Sequence, residues 1–129
     1  MSKIEVTTID APSGSTEITV GSTNATGGVT ISKQKWLEKS GAYTATSGDS
    51  IFIDTSSSAV TITLPSSPTI GDFVTFKDAT DSFDTNNLTV ARNGSNIEGS
   101  AADLVVSTES AGFTLVYYNT TRGWLIKDV

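Results

Sequence analysis

Residues 59–78, AVTITLPSSPTIGDFVTFKD, decide how the rest of the chain is read. Val60, Ile62 and Leu64 alternate with Thr61 and Thr63, so one side of an extended segment is apolar and the other polar. That period of two marks a strand with one buried face. FVTFK repeats the pattern after a connector that holds two of the chain's three prolines. Pro65 has no N–H to give to a ladder and biases Leu64 towards extended geometry, so it ends the first strand. Pro68 stiffens the connector, and Gly71-Asp72 supplies the turn into Phe73. Each compatible proline lowers the entropy of the unfolded chain, worth about 0.4–1 kcal/mol. The corner fixes strand direction and carries no reactive group.

The same code runs from Gly41 onward. Strands are expected near Tyr43–Thr46, Ser50–Asp54, Ala59–Leu64, Phe73–Lys77, Leu88–Ala91, Leu104–Ser107, Phe113–Tyr118 and Trp124–Lys127. Turn signals separate them: SGD, TSSS, the proline corner, RNGS, ESAG and NTTRG. In FTLVYY, Phe113, Leu115 and Tyr117 alternate with Thr114, Val116 and Tyr118, so the second face is only half polar. A second surface is expected to cover it.

Composition agrees. Hydrophobic residues are 36% of the 129, and charged ones are 17%, against about a quarter in an average domain. Ser and Thr fill the gap, with Gly, Asn and Asp behind them, a mix suited to short strands and tight turns. The formal net charge of −6 is too modest for a disordered acidic chain. It also speaks against nucleic acid and anionic membrane as partners, because phosphate binding needs clustered Lys and Arg. The opening MSKIEVTTIDAPSG lacks an apolar signal core, and no run approaches a membrane span.

Residues 3–32 differ. Short apolar couplets recur about every twelve residues, near the strand spacing of β architectures: Ile4, Val6 and Ile9, then Ile18 and Val20, then Val29 and Ile31. Between them lie APSGST and GSTNATGG, and large side chains are few. An extended arm whose strands are completed by other chains fits this pattern; a flexible, partly disordered arm is the plain alternative. KQKWLEK, residues 33–39, carries the only helical signal, with Ser32 as N-cap and Gly41 as stop. One or two turns are expected there, a collar pinned by Trp36 and Leu37.

Chemistry is scarce. The sequence holds no histidine and no cysteine. Ser-His-Asp catalysis, His-ligated zinc and thiolate chemistry are therefore excluded. The acidic run DATDSFDTNN lacks the alternate carboxylates, central Gly and bidentate Glu of a calcium loop, so it reads as a turn. Asp49, Asp54 and Asp72 border turns, where their side chains are expected to cap backbone N–H groups. No catalytic residue, metal site or cofactor is expected. If the head touches a ligand, Tyr43, Phe83, Tyr118 and Trp124 are the aromatics to present it; core or subunit interface is the plainer reading of each, and Trp124 is expected to pack near Val60, Ile62 and Phe113.

The succession YTATSGDSIFIDTSSSAVTITLPSSPTIGDFVTFKDA, followed by NNLTVARNGSNIEGSAADLVVSTESAGFTLVYYNTTRGWLIKD, resembles a β module of tailed-bacteriophage virion proteins. Such modules occur in tail fibres and other surface appendages, notably of marine cyanophage-like viruses. The resemblance spans residues 43–128, and its most specific pieces are LPSSPTIGD, NNLTVARNGSNIEG and FTLVYY followed by RGW. It implies a trimeric structural protein of the virion, outside the capsid or on the tail, and it supplies no catalytic residue; synthesis in the host cytoplasm is expected from the opening residues, which lack a signal core.

The expectation is thus an all-β protein. Residues 1–40 form an extended attachment arm and collar, and residues 41–129 an antiparallel β-sandwich or jelly-roll-like head. Its partners would be its own copies in a homotrimer, other virion proteins and, in the alternative reading, a host surface glycan. Capsid decoration or a short fibre suits the length of the chain better than a long tail fibre. Docking or subunit contacts would involve Ile4, Val6, Ile9, Ile18, Val20, Trp36 and Leu37.

Overall fold

The computed structural model describes residues 35–128. Nine strands follow in order: β1 Trp36–Lys39, β2 Tyr43–Thr44, β3 Ser50–Ile53, β4 Val60–Thr63, β5 Phe73–Asp78, β6 Leu88–Ala91, β7 Leu104–Val106, β8 Gly112–Asn119 and β9 Gly123–Lys127. They build a five-stranded sheet, β1-β3-β5-β8-β9, and a four-stranded sheet, β2-β4-β6-β7. The described residues are all-β, and the two sheets enclose one core.

Up to β6 the chain changes sheet at every connection, so β1, β3 and β5 pair in parallel, as do β2, β4 and β6. The proline corner is one of these crossings, carrying the chain from β4 to β5, with Ser67 and Gly71 at positive φ. Only β6–β7, β5–β8 and β8–β9 are antiparallel. The antiparallel sandwich expected from sequence is therefore a sandwich of mixed sheets. Alternation of apolar and polar residues is the same in either direction, so a strand's pattern does not reveal its partner's orientation.

A second correction concerns residues 33–39. Trp36–Lys39 is not helical but extended, with Leu37 opposite Ile51 and Lys39 opposite Ile53. A free edge on β3 offers this segment a full ladder, which outweighs weak local helix propensity. Lys39 also accepts the Asp54 N–H through its carbonyl.

The core follows the period of two. Ile51 and Ile53, Val60 and Ile62, Val74 and Phe76, Leu88 and Val90, and Phe113 and Leu115 all point inward and are buried. Cross-strand partners meet there: Phe76 stacks on Phe113 at 5.0 Å, and Tyr117 meets Trp124 edge-on at 5.5 Å. Such pairs add about 0.5–1.5 kcal/mol beyond area burial. The apolar–polar alternation expected of FTLVYY holds along β8, up to a bulge between Tyr117 and Asn119 that leaves Tyr118 half exposed.

Candidate interaction surface

The turn carboxylates singled out in the sequence are bonded within the fold. Asp49 accepts the Thr46 N–H and the Tyr43 hydroxyl, each at 2.8 Å. Asp54 accepts from the N–H and Oγ of Ser56, and Asp72 from the Thr69 N–H. These are the turn caps expected from sequence. The Ser56 bonds hold the Asp54 carboxyl below its ordinary pKa, and the bond to Asp49 raises that of the Tyr43 phenol.

Asp78 ends β5 with its carboxylate almost fully buried. Burial pushes its pKa up, but N–H donors from Phe83, Ser82, Ser110 and Thr80 outweigh that and leave it below the ordinary value. This one side chain ties the 79–83 turn to the 108–111 turn. The acidic run is thus a structural staple.

The expected contact aromatics divide sharply. Phe83 and Trp124 are fully buried and present nothing to solvent. The Asp78 bond to the Phe83 N–H draws that residue inward, while β9 register puts Trp124 on the inner face beside Tyr117. Tyr43 is half-buried, its hydroxyl held by Asp49 and its ring under the Lys39 ammonium at 4.1 Å. Tyr118 alone of the four is well exposed. Of the expected docking residues, Ile4, Val6, Ile9, Ile18 and Val20 lie outside the described residues. Leu37 is half-buried on the inner face of β1, and Trp36 lies on the outer face.

Two surfaces were not foreseen. On the outer face of the five-stranded sheet, Trp36 stacks on Phe52 at 4.4 Å, each ring about 40% exposed. The signal was present in SIFI: with Ile51 and Ile53 inward, Phe52 must face out. The second lies at the opposite edge, where β7, β8 and β9 leave an apolar cleft of about 350 Å³. Leu104, Val106, Ala111, Phe113 and Ile126 line it, with Val105 at its rim more than half exposed.

The two strands at this edge are finished differently. Along β9, residues 96–99 supply partners: Trp124 N–H donates to the Asn96 carbonyl, Glu98 N–H to the Trp124 carbonyl, and Ile126 N–H to the Glu98 carboxylate at 2.7 Å. Gly123 permits this approach, since a Cβ there would lie 1.8 Å from the Asn96 oxygen. Among the described residues β7 pairs with β6 on one side only. An open strand edge is a template for pairing with another chain.

The described residues thus form a Ser/Thr-rich two-sheet β module with turn carboxylates bonded to the backbone and apolar surface at its edges. Residues 7–120 match the family described as Bacteriophage T4 gp9/10-like protein, N-terminal, and the chain belongs to that family. It is a bacteriophage structural protein of the fibre or appendage kind, and its place is the virion. A search among curated proteins returned no match. The family match ends before β9.

Proposed function

We propose that the protein is a non-enzymatic module of the particle surface, a short fibre or appendage component, assembled as a homotrimer and anchored through its N-terminal residues. The match to a bacteriophage structural family carries this reading, with capsid decoration as the other surface position that suits so short a module. The absence of histidine and cysteine from the sequence supports a role without catalysis. So does the commitment of Asp49, Asp54, Asp72 and Asp78 to backbone donors. Inert surface and satisfied turns suit a component that must survive outside a cell.

Deleting residues 1–32 from the phage-encoded protein tests the anchor. The truncated protein should stay soluble, melt cooperatively and fail to join the particle. Normal incorporation would place attachment in the head, and failure to fold would make the N-terminal residues part of the core. Sedimentation of the full chain as a monomer at micromolar concentration would count against the homotrimer. A receptor- or carbohydrate-binding role is the second reading. It rests on the exposed rings of Tyr118, Trp36 and Phe52, and a glycan array probed with the full chain would test it.

A further inference from the structure

The five-stranded and four-stranded sheets do not match in width. Successive crossings set β2 opposite β1, β4 opposite β3 and β6 opposite β5, and β7 then lies opposite β8. Among the described residues, no strand of the smaller sheet lies beyond β7 to cover the Ile126 end of β9. The apolar cleft is the space left there, and Ile126 remains partly exposed at its floor. A strand added along β7 would cover Ile126 and equalise the sheets. β7 sets out the terms of such an addition: Leu104 and Val106 face the cleft, and Val105 faces out. The incoming strand therefore needs two apolar side chains two residues apart, with a polar or β-branched residue between them.

The N-terminal residues hold three couplets of that kind, and charge separates them. Asp103 and Glu109 bracket the β7 edge, both exposed. Ile4 and Val6 enclose Glu5 with Lys3 just before them, so that couplet brings no net charge, and Ile18 follows Glu17, so the second brings a like charge. Val29-Thr30-Ile31 is followed instead by Lys33 and Lys35. Its position selects the source. From Ile31 to Trp36 the chain spans at most about 18 Å. The cleft lies across four strand spacings of about 4.8 Å each, with the body of the sandwich in the way. The same molecule cannot supply this strand.

We infer that Val29-Thr30-Ile31 of a second copy adds to β7 as the fifth strand of the smaller sheet, with Val29 and Ile31 seated in the cleft. The inference deepens the homotrimer reading and rests on it. The contact is heterologous, joining the β7 edge of one copy to the chain entering β1 of the next, and such a contact closes into a ring when the rotation permits.

The chain has no native cysteine, so a pair introduced by substitution reports on proximity without background. Directly opposed residues on neighbouring strands have Cα atoms about 4.5–5.5 Å apart, inside the range a disulfide spans. The full chain carrying Thr30→Cys and Val105→Cys should form reducible covalent dimers and higher species on mild oxidation. Yields should exceed those of Glu5→Cys or Thr19→Cys paired with Val105→Cys several-fold. Val29→Asp with Ile31→Asp should shift the full chain from oligomer to monomer while its melting temperature changes little. Cross-links within one molecule, equal yields from all three pairs, or an assembled Asp variant would overturn the inference. If the wild-type chain sediments as a trimer and still fails to cross-link, the interface is wrong and the trimer stands. If it sediments as a monomer, both fall.

Discussion

The Ile126 N–H donates to the Glu98 carboxylate at 2.7 Å, so a side chain takes the place of a neighbouring strand on the outer edge of β9. The same carboxylate meets the Arg122 guanidinium at 3.3 Å. Both side chains are nearly half exposed, so the ion pair itself is worth little. The value of Glu98 lies in closing an edge that would otherwise recruit another chain. Evolution of a virion protein has to keep one edge shut while leaving another available.

Glu98→Ala should therefore lower stability by only about 1 kcal/mol, the net worth of one exposed hydrogen bond. Its larger effect should appear as concentration-dependent light scattering at neutral pH. Glu98→Gln keeps an acceptor for Ile126 and should scatter like wild type. Equal scattering from all three proteins would show that the β9 edge is protected by residues 96–99 alone.

Trp124→Ala removes the largest fully buried side chain. It should cost about 3–5 kcal/mol, read from denaturant unfolding. Trp124→Phe should cost less, because the indole Nε1 has no hydrogen-bond partner in the core and its loss leaves no acceptor stranded. A Trp124→Phe variant as unstable as Trp124→Ala would point to a bonded indole, with a buried water as its partner.

Gly123→Ala meets both a steric and a conformational barrier. The residue has φ +72 and the added methyl would overlap the Asn96 carbonyl. Destabilisation of about 3 kcal/mol or more is expected, with the loss of slow amide exchange at Trp124 as the local sign. Gly41→Ala, where a Cβ meets nothing within 4 Å, should leave the melting temperature unchanged within a degree or two and serves as the control.

The Asp78 carboxyl has a folded pKa below the ordinary 3.8. Its contribution to stability is complete above that value and is lost as pH falls through the folded pKa. Acid titration of the melting temperature should therefore show a loss of stability below about pH 4. Asp78→Asn should cost about 2–3 kcal/mol at neutral pH, because an amide N–H₂ then faces backbone donors that the carboxylate had satisfied. The acid-dependent slope should shrink in the variant. An unchanged slope would assign it to other carboxylates, Asp54 first among them.

The sequence by itself determined where the strands from Tyr43 onward lie and which side chains of each face inward. Val60 and Ile62, or Phe113 and Leu115, declare their face through alternation, because the pleat is set by the residue's own backbone. The caps at Asp49, Asp54 and Asp72 were legible for the same reason, since donor and acceptor lie two or three residues apart. Tertiary structure decided what depends on partners far along the chain. Trp36–Lys39 became a strand because the edge of β3 was open to it, and parallel pairing arose because successive strands alternate between sheets. Core or interface is the plainer reading of Phe83 and Trp124, and Asp78 and the β8–β9 register are what draw them inside. The unequal sheets, and with them the cleft at β7, arise only when all nine strands are in place. Local pattern fixes a strand's faces; the order and number of its neighbours come from packing the whole core.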